Sequence, residues 1–214
     1  MTDILVKEDE NGLYITDGKL RFEGNFESML PRLKRANTKT ELILKAVKIK
    51  KEKENTLIID ATAGMGEDSM ILASAGYNVI MYEKDPVIAA LLADAMKRAE
   101  ANPYLLKIIN RMKLVNGDSI DAMKNSSQKA DVILLDPMFP KRNKSALIKK
   151  KFQLIHHLEA PCSDEEELLN AAFEAKPRKI VVKRPLKGSS LADRKPDYTI
   201  EGKAIRYDCF VLNA

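Results

Sequence analysis

From Thr56 onward the chain repeats one pattern: a short apolar run, then an amphipathic stretch, then another apolar run. The runs are "TLIID", "NVIMYE", "MKLVNG" and "DVILLD", with helical periodicity starting near Glu67 and at Pro86 and a short helix before the last run. This is a βαβαβαβ succession. Strands that read as near-continuous apolar runs are buried on both faces, which implies a parallel sheet covered by helices on both sides. Right-handed crossovers leave few ways to connect it. Beyond it the sequence predicts a helix within 164–175, a strand "KIVVKRP", and a closing pair near 197–201 and 204–212 that adds an antiparallel C-terminal strand. The expected class is α/β, a doubly wound and mostly parallel sheet. In such sheets a ligand sits beyond the carboxyl ends of the strands, where strand order reverses.

Ahead of this repeat, "LYITDGKLRFE" (13–23) sets two alternating runs around Asp17-Gly18, a pair suited to a tight hairpin turn. Residues 28–53 hold nine Lys/Arg against Glu41 and Glu52, and Thr38 to Glu41 has capping-box spacing before "LILKAV". A basic helix with a basic lead-in is expected. The organisation reads as 1–36, a hairpin and lead-in that do not stand alone, and 37–214, one α/β domain. A length of 214 residues with 45% hydrophobic content suits one sizeable core. The net charge of +5 suits a polyanionic partner without specifying one. Cys162 and Cys209 are far apart and outside any CxxC, so neither a disulfide framework nor a cysteine metal site is expected. The acidic start "MTDILVKEDENG" and the lack of a long apolar run point to a cytoplasmic protein, neither exported nor inserted in a membrane.

The loop "DATAGMGED" (60–68) carries Gly64 and Gly66, but also Asp60, Glu67 and Asp68. A dinucleotide loop would have a third glycine where Ser69 stands, and it would not gather acids around a diphosphate. Like charges brought together out of water cost several kcal/mol at an effective dielectric of about 20. S-adenosylmethionine reverses that preference, because its sulfonium and ammonium outnumber its single carboxylate. Glu83 ends the second strand nineteen residues after Gly64, near the offset at which an acid accepts from ribose hydroxyls. Asp118, at the end of the third strand, is placed to meet adenine.

"DPMFP" (136–140) has residue types suited to an exocyclic aryl amine. The lone pair of such an amine is delocalised into its ring, so it becomes nucleophilic when acceptors draw on its hydrogens. The Asp136 carboxylate and the Pro137 carbonyl are the candidate acceptors, and Phe139 is the candidate stacking partner for an extruded base. Next to it lies 141–151, with Lys141, Arg142, Lys144, Lys149, Lys150 and Lys151 and no acid. Phosphate contact is expected there, and also at Lys183 and Arg184 in "VVKRP". His156 and His157 read as a helix-dipole partner and a surface residue rather than catalysts.

Taken together, "DATAGMGED", "MYEKDPVIAALLADAMKRA", "LLDPMFPKRNKSALIKK" and "IVVKRP" resemble the ribosomal RNA small subunit methyltransferase J family from about Leu57 to Pro185. The resemblance implies a Rossmann-like class I methyltransferase that moves a methyl group from S-adenosyl-L-methionine to N2 of a guanosine in 16S rRNA. By matching positions it implies cofactor contacts at Glu67 and Asp68, Glu83 and Lys84, Asp118 and Ser119, and Asp136. No metal is implied, and the partner is the small-subunit rRNA or its 30S particle. The sequence departs from the family at Glu67 and Lys84, where Arg is usual, at Asp118, where Ser is usual, and at Met138, where amino-methyltransferases usually have a second Pro. Two other readings stay open: an amino-methyltransferase of another RNA or DNA base, and a non-catalytic RNA-binding module with a relict cofactor fold.

Overall fold

The structure, a computed structural model, describes residues 4–36, 39–52, 54–125, 129–137, 154 and 165–212. In chain order the strands are β1 (Leu5–Asp9), β2 (Gly12–Thr16), β3 (Arg21–Phe22), β4 (Leu57–Asp60), β5 (Asn78–Glu83), β6 (Met112–Asn116), β7 (Val132–Leu135), β8 (Lys179–Pro185), β9 (Tyr198–Glu201) and β10 (Ile205–Val211). The helices are α1 (Leu30–Leu33), α2 (Leu42–Val47), α3 (Glu67–Ser74), α4 (Pro86–Ala99), α5 (Pro103–Ile109), α6 (Ser119–Asn125) and α7 (Glu165–Glu174). A seven-stranded sheet runs in the order β6-β5-β4-β7-β8-β10-β9. Strands β6 to β8 are mutually parallel, and β10 is antiparallel to both β8 and β9. Order reverses between β4 and β7, so the loops that leave those strands open into one crevice.

The central strands are buried on both faces, as their unbroken apolar runs require: all four residues of β7 are buried. On one face Met70, Ile71, Leu92, Leu105 and Ile43 from α2 to α5 pack with Ile58, Val79 and Val181 of the sheet. On the other, Met123 of α6 and Leu168, Leu169 and Ala172 of α7 pack with Ile59, Ile133 and Ile180. The longest helix, α4, starts where Pro86 fixes its first turn and the Asp85 carboxylate accepts from the Val87 and Ile88 amides. Its buried Ile88, Leu91, Leu92, Ala95 and Ala99 recur at helical spacing along one side. Asn102-Pro103 then restarts the chain as α5, with the Asn102 side chain accepting from the Tyr104 and Leu105 amides.

The N-terminal region departs from the expected single hairpin. It is a three-stranded antiparallel sheet in the order β1-β2-β3, and β1 precedes the segment with alternating apolar residues. All five residues of β1 are exposed, so it has no apolar face for a pattern to reveal. The turn after β2 spans 17–20, and its Asp17 carboxylate accepts from the Lys19 and Leu20 amides in place of a two-residue turn. Ile15 and Phe22 pack this sheet on Ile88 and Leu91 of α4. The basic region holds two short helices, α1 and α2, rather than one helix with a capping box. Glu41 stands at the N-cap of α2 in extended conformation without a side-chain cap bond, since both of its oxygens take the Arg32 guanidinium at 2.8 and 2.9 Å.

Candidate active site

Strand register aligns the ends of β4, β7 and β8. Asp60 pairs with Leu134 and Leu135 with Val182, which sets Asp136 and Lys183 side by side, one residue past the last paired positions. Side chains alternate along β8, so Val181 and Lys183 share the face that carries α2 and α3 while Arg184 takes the other. Lys183 therefore meets the first turn of α3. Its ammonium lies 2.7 Å from Asp68 Oδ2 and 2.8 Å from Asp136 Oδ2. Burial lowers the Lys183 pKa, but the Asp136 and Asp68 carboxylates outweigh it and the net shift is upward. Burial raises the Asp136 pKa, and Lys183 opposes that rise without cancelling it.

Beneath this group, Asp60 is 2% exposed. Its carboxylate accepts from the Ser69 hydroxyl at 2.6 Å and from the Thr62 amide at 3.3 Å. Burial pushes its pKa up to about 7, with Asp68 and Asp136 adding to the rise against the hydrogen bonds from Ser69 and Thr62. Asp60 thus braces the loop through Ser69 and Thr62. Thr62 carries the brace across: its hydroxyl accepts from the Asp136 amide at 2.6 Å, linking the β4 and β7 loops. Counting acids in the sequence therefore overstates the negative charge here. Asp68 and Asp136 share Lys183, and burial favours the neutral form of Asp60.

The loop glycines serve different ends. Gly66, at φ 71°, is the left-handed N-cap of α3, and a Cβ there would come within 2.9 Å of Leu92 Cδ1. It lets the loop pack against α4. Gly64, at φ 52°, turns its amide to Glu83 Oε2 at 2.9 Å. The other Glu83 oxygen accepts from the Asp85 amide at 2.8 Å. These bonds aim the carboxylate and leave each oxygen a second lone pair for ribose hydroxyls. Burial raises the Glu83 pKa against those hydrogen bonds. One strand further out, Lys84 pairs with Asp118 Oδ2 at 2.6 Å, and Asp118 Oδ1 accepts from the Ile120 amide at the start of α6. Burial raises the Asp118 pKa, but the Lys84 and Ile120 hydrogen bonds outweigh it, so the net shift is downward. Ser119, buried, opens α6, and Glu67 is exposed in the first turn of α3.

Asp68, Glu83, Lys84, Asp118, Ser119 and Asp136 thus lie at or just beyond strand ends on the carboxyl side of β4 to β8, with buried Pro137 following Asp136. Phe139, Lys141, Arg142, Lys144, Lys149, His156, His157 and Cys162 lie outside the described residues. The structure turns both strand-end cations of "VVKRP" away from the RNA-facing place expected of them. Lys183 points into the acidic group. Arg184 is 3% exposed and donates from Nε to the Ser189 carbonyl at 2.8 Å, with Glu165 at 3.5 Å. Lys183 as a pocket residue is the member that the sequence reading missed; the register of β7 with β8 is the signal that finds it. Among the described residues no group of three or more His, Cys, Asp or Glu could hold a metal ion, and no helix is long and apolar enough to cross a membrane.

The SAM-dependent methyltransferase family matches residues 16–212. A ribosomal RNA small subunit methyltransferase J from Marinobacter nauticus is 37% identical over 218 residues, covering 99% of this chain and 78% of the relative. The chain belongs to this family. The methyltransferase J of Thioalkalivibrio sulfidiphilus is 42% identical over 182 residues, covering 84% of this chain and 71% of the relative. Among solved structures, a SAM-dependent methyltransferase from Neisseria gonorrhoeae superposes with a TM-score of 0.79 at 30% identity, covering 99% of this chain and 84% of that one. An RNA methyltransferase from Salinibacter ruber, solved in complex with S-adenosyl-L-homocysteine, shares the fold with a TM-score of 0.53 at 16% identity, over 80% of this chain and 90% of its own. Methyltransferase J family members are thus the frame for the site: a Rossmann-like, SAM-dependent enzyme whose crevice lies at the β4/β7 switch point.

Proposed function

We propose that this methyltransferase J family member modifies the exocyclic N2 amine of a guanosine in small-subunit (16S) ribosomal RNA. The relatives' shared name supports the substrate, and Asp136 carries the chemistry: an acceptor at the switch point, beside the acids of the cofactor loop. The donor set fits S-adenosyl-L-methionine. Glu83, held by the Gly64 and Asp85 amides, would take the ribose hydroxyls; Asp118 and Ser119 would flank adenine; Asp68 and Asp136 would meet the cationic end. When bound, the cofactor supplies an electrophilic methyl carbon: the N2 lone pair forms the new N–C bond as the S–C bond breaks, its electrons pass to sulfur, and the nitrogen then sheds one proton to water.

What the protein contributes is activation of the nitrogen. Asp136 and the Pro137 carbonyl accept from the amine hydrogens and return electron density to nitrogen, and those bonds strengthen as the nitrogen gains charge. Phe139 stacks on the base, and the basic run 141–151 holds phosphates. The test is transfer of labelled methyl from S-adenosylmethionine to 30S particles, naked 16S rRNA or DNA, with the product nucleoside identified. Label in N2-methylguanosine from small-subunit rRNA supports the reading; label only in adenine or cytosine overturns it. Asp136→Asn should lower turnover at least a hundredfold while weakening RNA binding less than threefold, a split expected of an interaction made mainly in the transition state. Turnover within twofold of the parent enzyme would exclude Asp136 as the activating acceptor.

A further inference from the structure

The ammonium of Lys183 is seated between two carboxylates, and one of them is the acceptor on which the proposed reaction depends. A cation at that place has three uses: a phosphate contact, a brace for α3, or control of Asp136. A phosphate contact is disfavoured because the side chain is 23% exposed and already pairs with two anions. A brace for α3 alone would need only Asp68. From this geometry we infer that Lys183 is a positioning residue for methyl transfer: it binds Asp136 Oδ2, holds that carboxylate ionised, and leaves Oδ1 directed to the target amine.

Several observations converge on this assignment. The β7/β8 register, whose last pair is Leu135 with Val182, brings Lys183 of β8 next to Asp136, the first residue beyond β7. The Asp136 amide is tied to the Thr62 hydroxyl, which fixes the backbone from which the carboxylate projects. Among the described residues Oδ2 is engaged by Lys183 while Oδ1 takes no hydrogen bond. Asp136 needs a cation for a reason set by its neighbours. Asp68 from α3 and Asp60 from β4 face it with like charge, and Tyr207 from β10, opposite Lys183 in the β8/β10 pairing, adds an apolar body and a neutral phenol. Arg184 offers a weaker favourable charge from the other face of β8. With Asp136 protonated on the oxygen that faces the amine, that oxygen would be a donor and a poorer acceptor from the amine hydrogens, so amine activation would fail as the proton returned. Lys183 prevents that, and Asp68 holds Lys183 in reach of it.

This inference rests on the proposed role of Asp136, and its test separates the two. The pH titration of the Asp136 carboxyl carbon, followed by NMR in the protein without cofactor or RNA, gives a readout independent of activity. In Lys183→Met the Asp136 titration should move to higher pH by roughly one unit or more, because the paired cation is gone. Asp68→Asn should move it the opposite way, since a like charge is removed and Lys183 is left to Asp136 alone. The acid limb of kcat against pH on 30S particles should follow both shifts, and Lys183→Arg should restore part of the Lys183→Met loss. Should Lys183→Met fail to fold by circular dichroism, the downward shift in Asp68→Asn still decides. An Asp136 titration and a kcat profile that stay in place in both variants overturn the inference. If instead the titrations move as expected while no substrate is methylated by the parent enzyme, the positioning stands and the functional reading falls.

Discussion

Glu83 braces the loop and is also the proposed ribose acceptor. Its two oxygens already hold the Gly64 and Asp85 amides, so its removal loosens the loop and also deletes the proposed ribose acceptor. Glu83→Ala should weaken S-adenosylmethionine binding by about 1.5–3 kcal/mol, the scale of charge-assisted hydrogen bonds, or about 10- to 150-fold by calorimetry. An unchanged dissociation constant would leave Glu83 as a loop brace only. Asp60 makes a different kind of forecast. A buried acid whose folded pKa lies above its unfolded value binds its proton more tightly when folded, so the stability it adds is present at low pH and is lost as pH rises from about 4 to about 7. Asp60→Asn removes that slope. Denaturant melts between pH 5 and pH 8 should therefore show the Asn variant gaining on the parent protein as pH rises; a constant difference would mean that Asp60 is ionised throughout.

At the scale of elements, what the sequence made legible follows from where side chains are buried. The apolar runs of β4, β5, β6 and β7 name their strands because both faces are covered, and Pro86 marks a helix start by its backbone limits. β1 is hidden because it buries nothing, and the expected capping box does not form because Glu41 is spent on Arg32. Lys183 was misplaced for a related reason. A charge beside a presumed RNA site reads as surface until the strand order puts β8 next to β7, and only the register then shows that its side chain meets Asp136. Gly66 offers a test at this scale. It is a left-handed N-cap held against Leu92, in the loop where a cofactor is expected. Gly66→Ala should cost about 1–3 kcal/mol in urea-induced unfolding, from the disfavoured backbone region and the close approach. A loss in cofactor affinity with stability intact would instead make Gly66 part of the cofactor site.

For the whole molecule the open question is which of its 36 Lys and Arg meet RNA, given a net charge of only +5. Internal pairing removes several candidates. Lys183 and Arg184 are turned inward, Arg32 is clamped to Glu41, and buried Lys179 donates to the Ala46 and Lys48 carbonyls at the end of α2. The acid-free basic run at 141–151 follows Asp136 and Pro137 within a few residues in the sequence, which makes it the first candidate. Consecutive side chains diverge in both helices and strands, so one of Lys149, Lys150 and Lys151 is counted with Lys141 and Arg142 as contacts on a single phosphate track. Each phosphate neutralised on single-stranded RNA contributes about 0.7 to the slope of log affinity against log salt. Neutralising Lys141, Arg142 and Lys149 together should therefore flatten that slope by about 2 and weaken all RNA sequences alike, while S-adenosylmethionine affinity stays within twofold. The loss should be largest at low salt and shrink as salt rises, because it is counterion release that has been removed. A triple variant that keeps the parent salt slope and RNA affinity would show this run to be a solvated surface, and would move the search for the RNA track to the exposed side of 28–53, around Lys34 and Arg35.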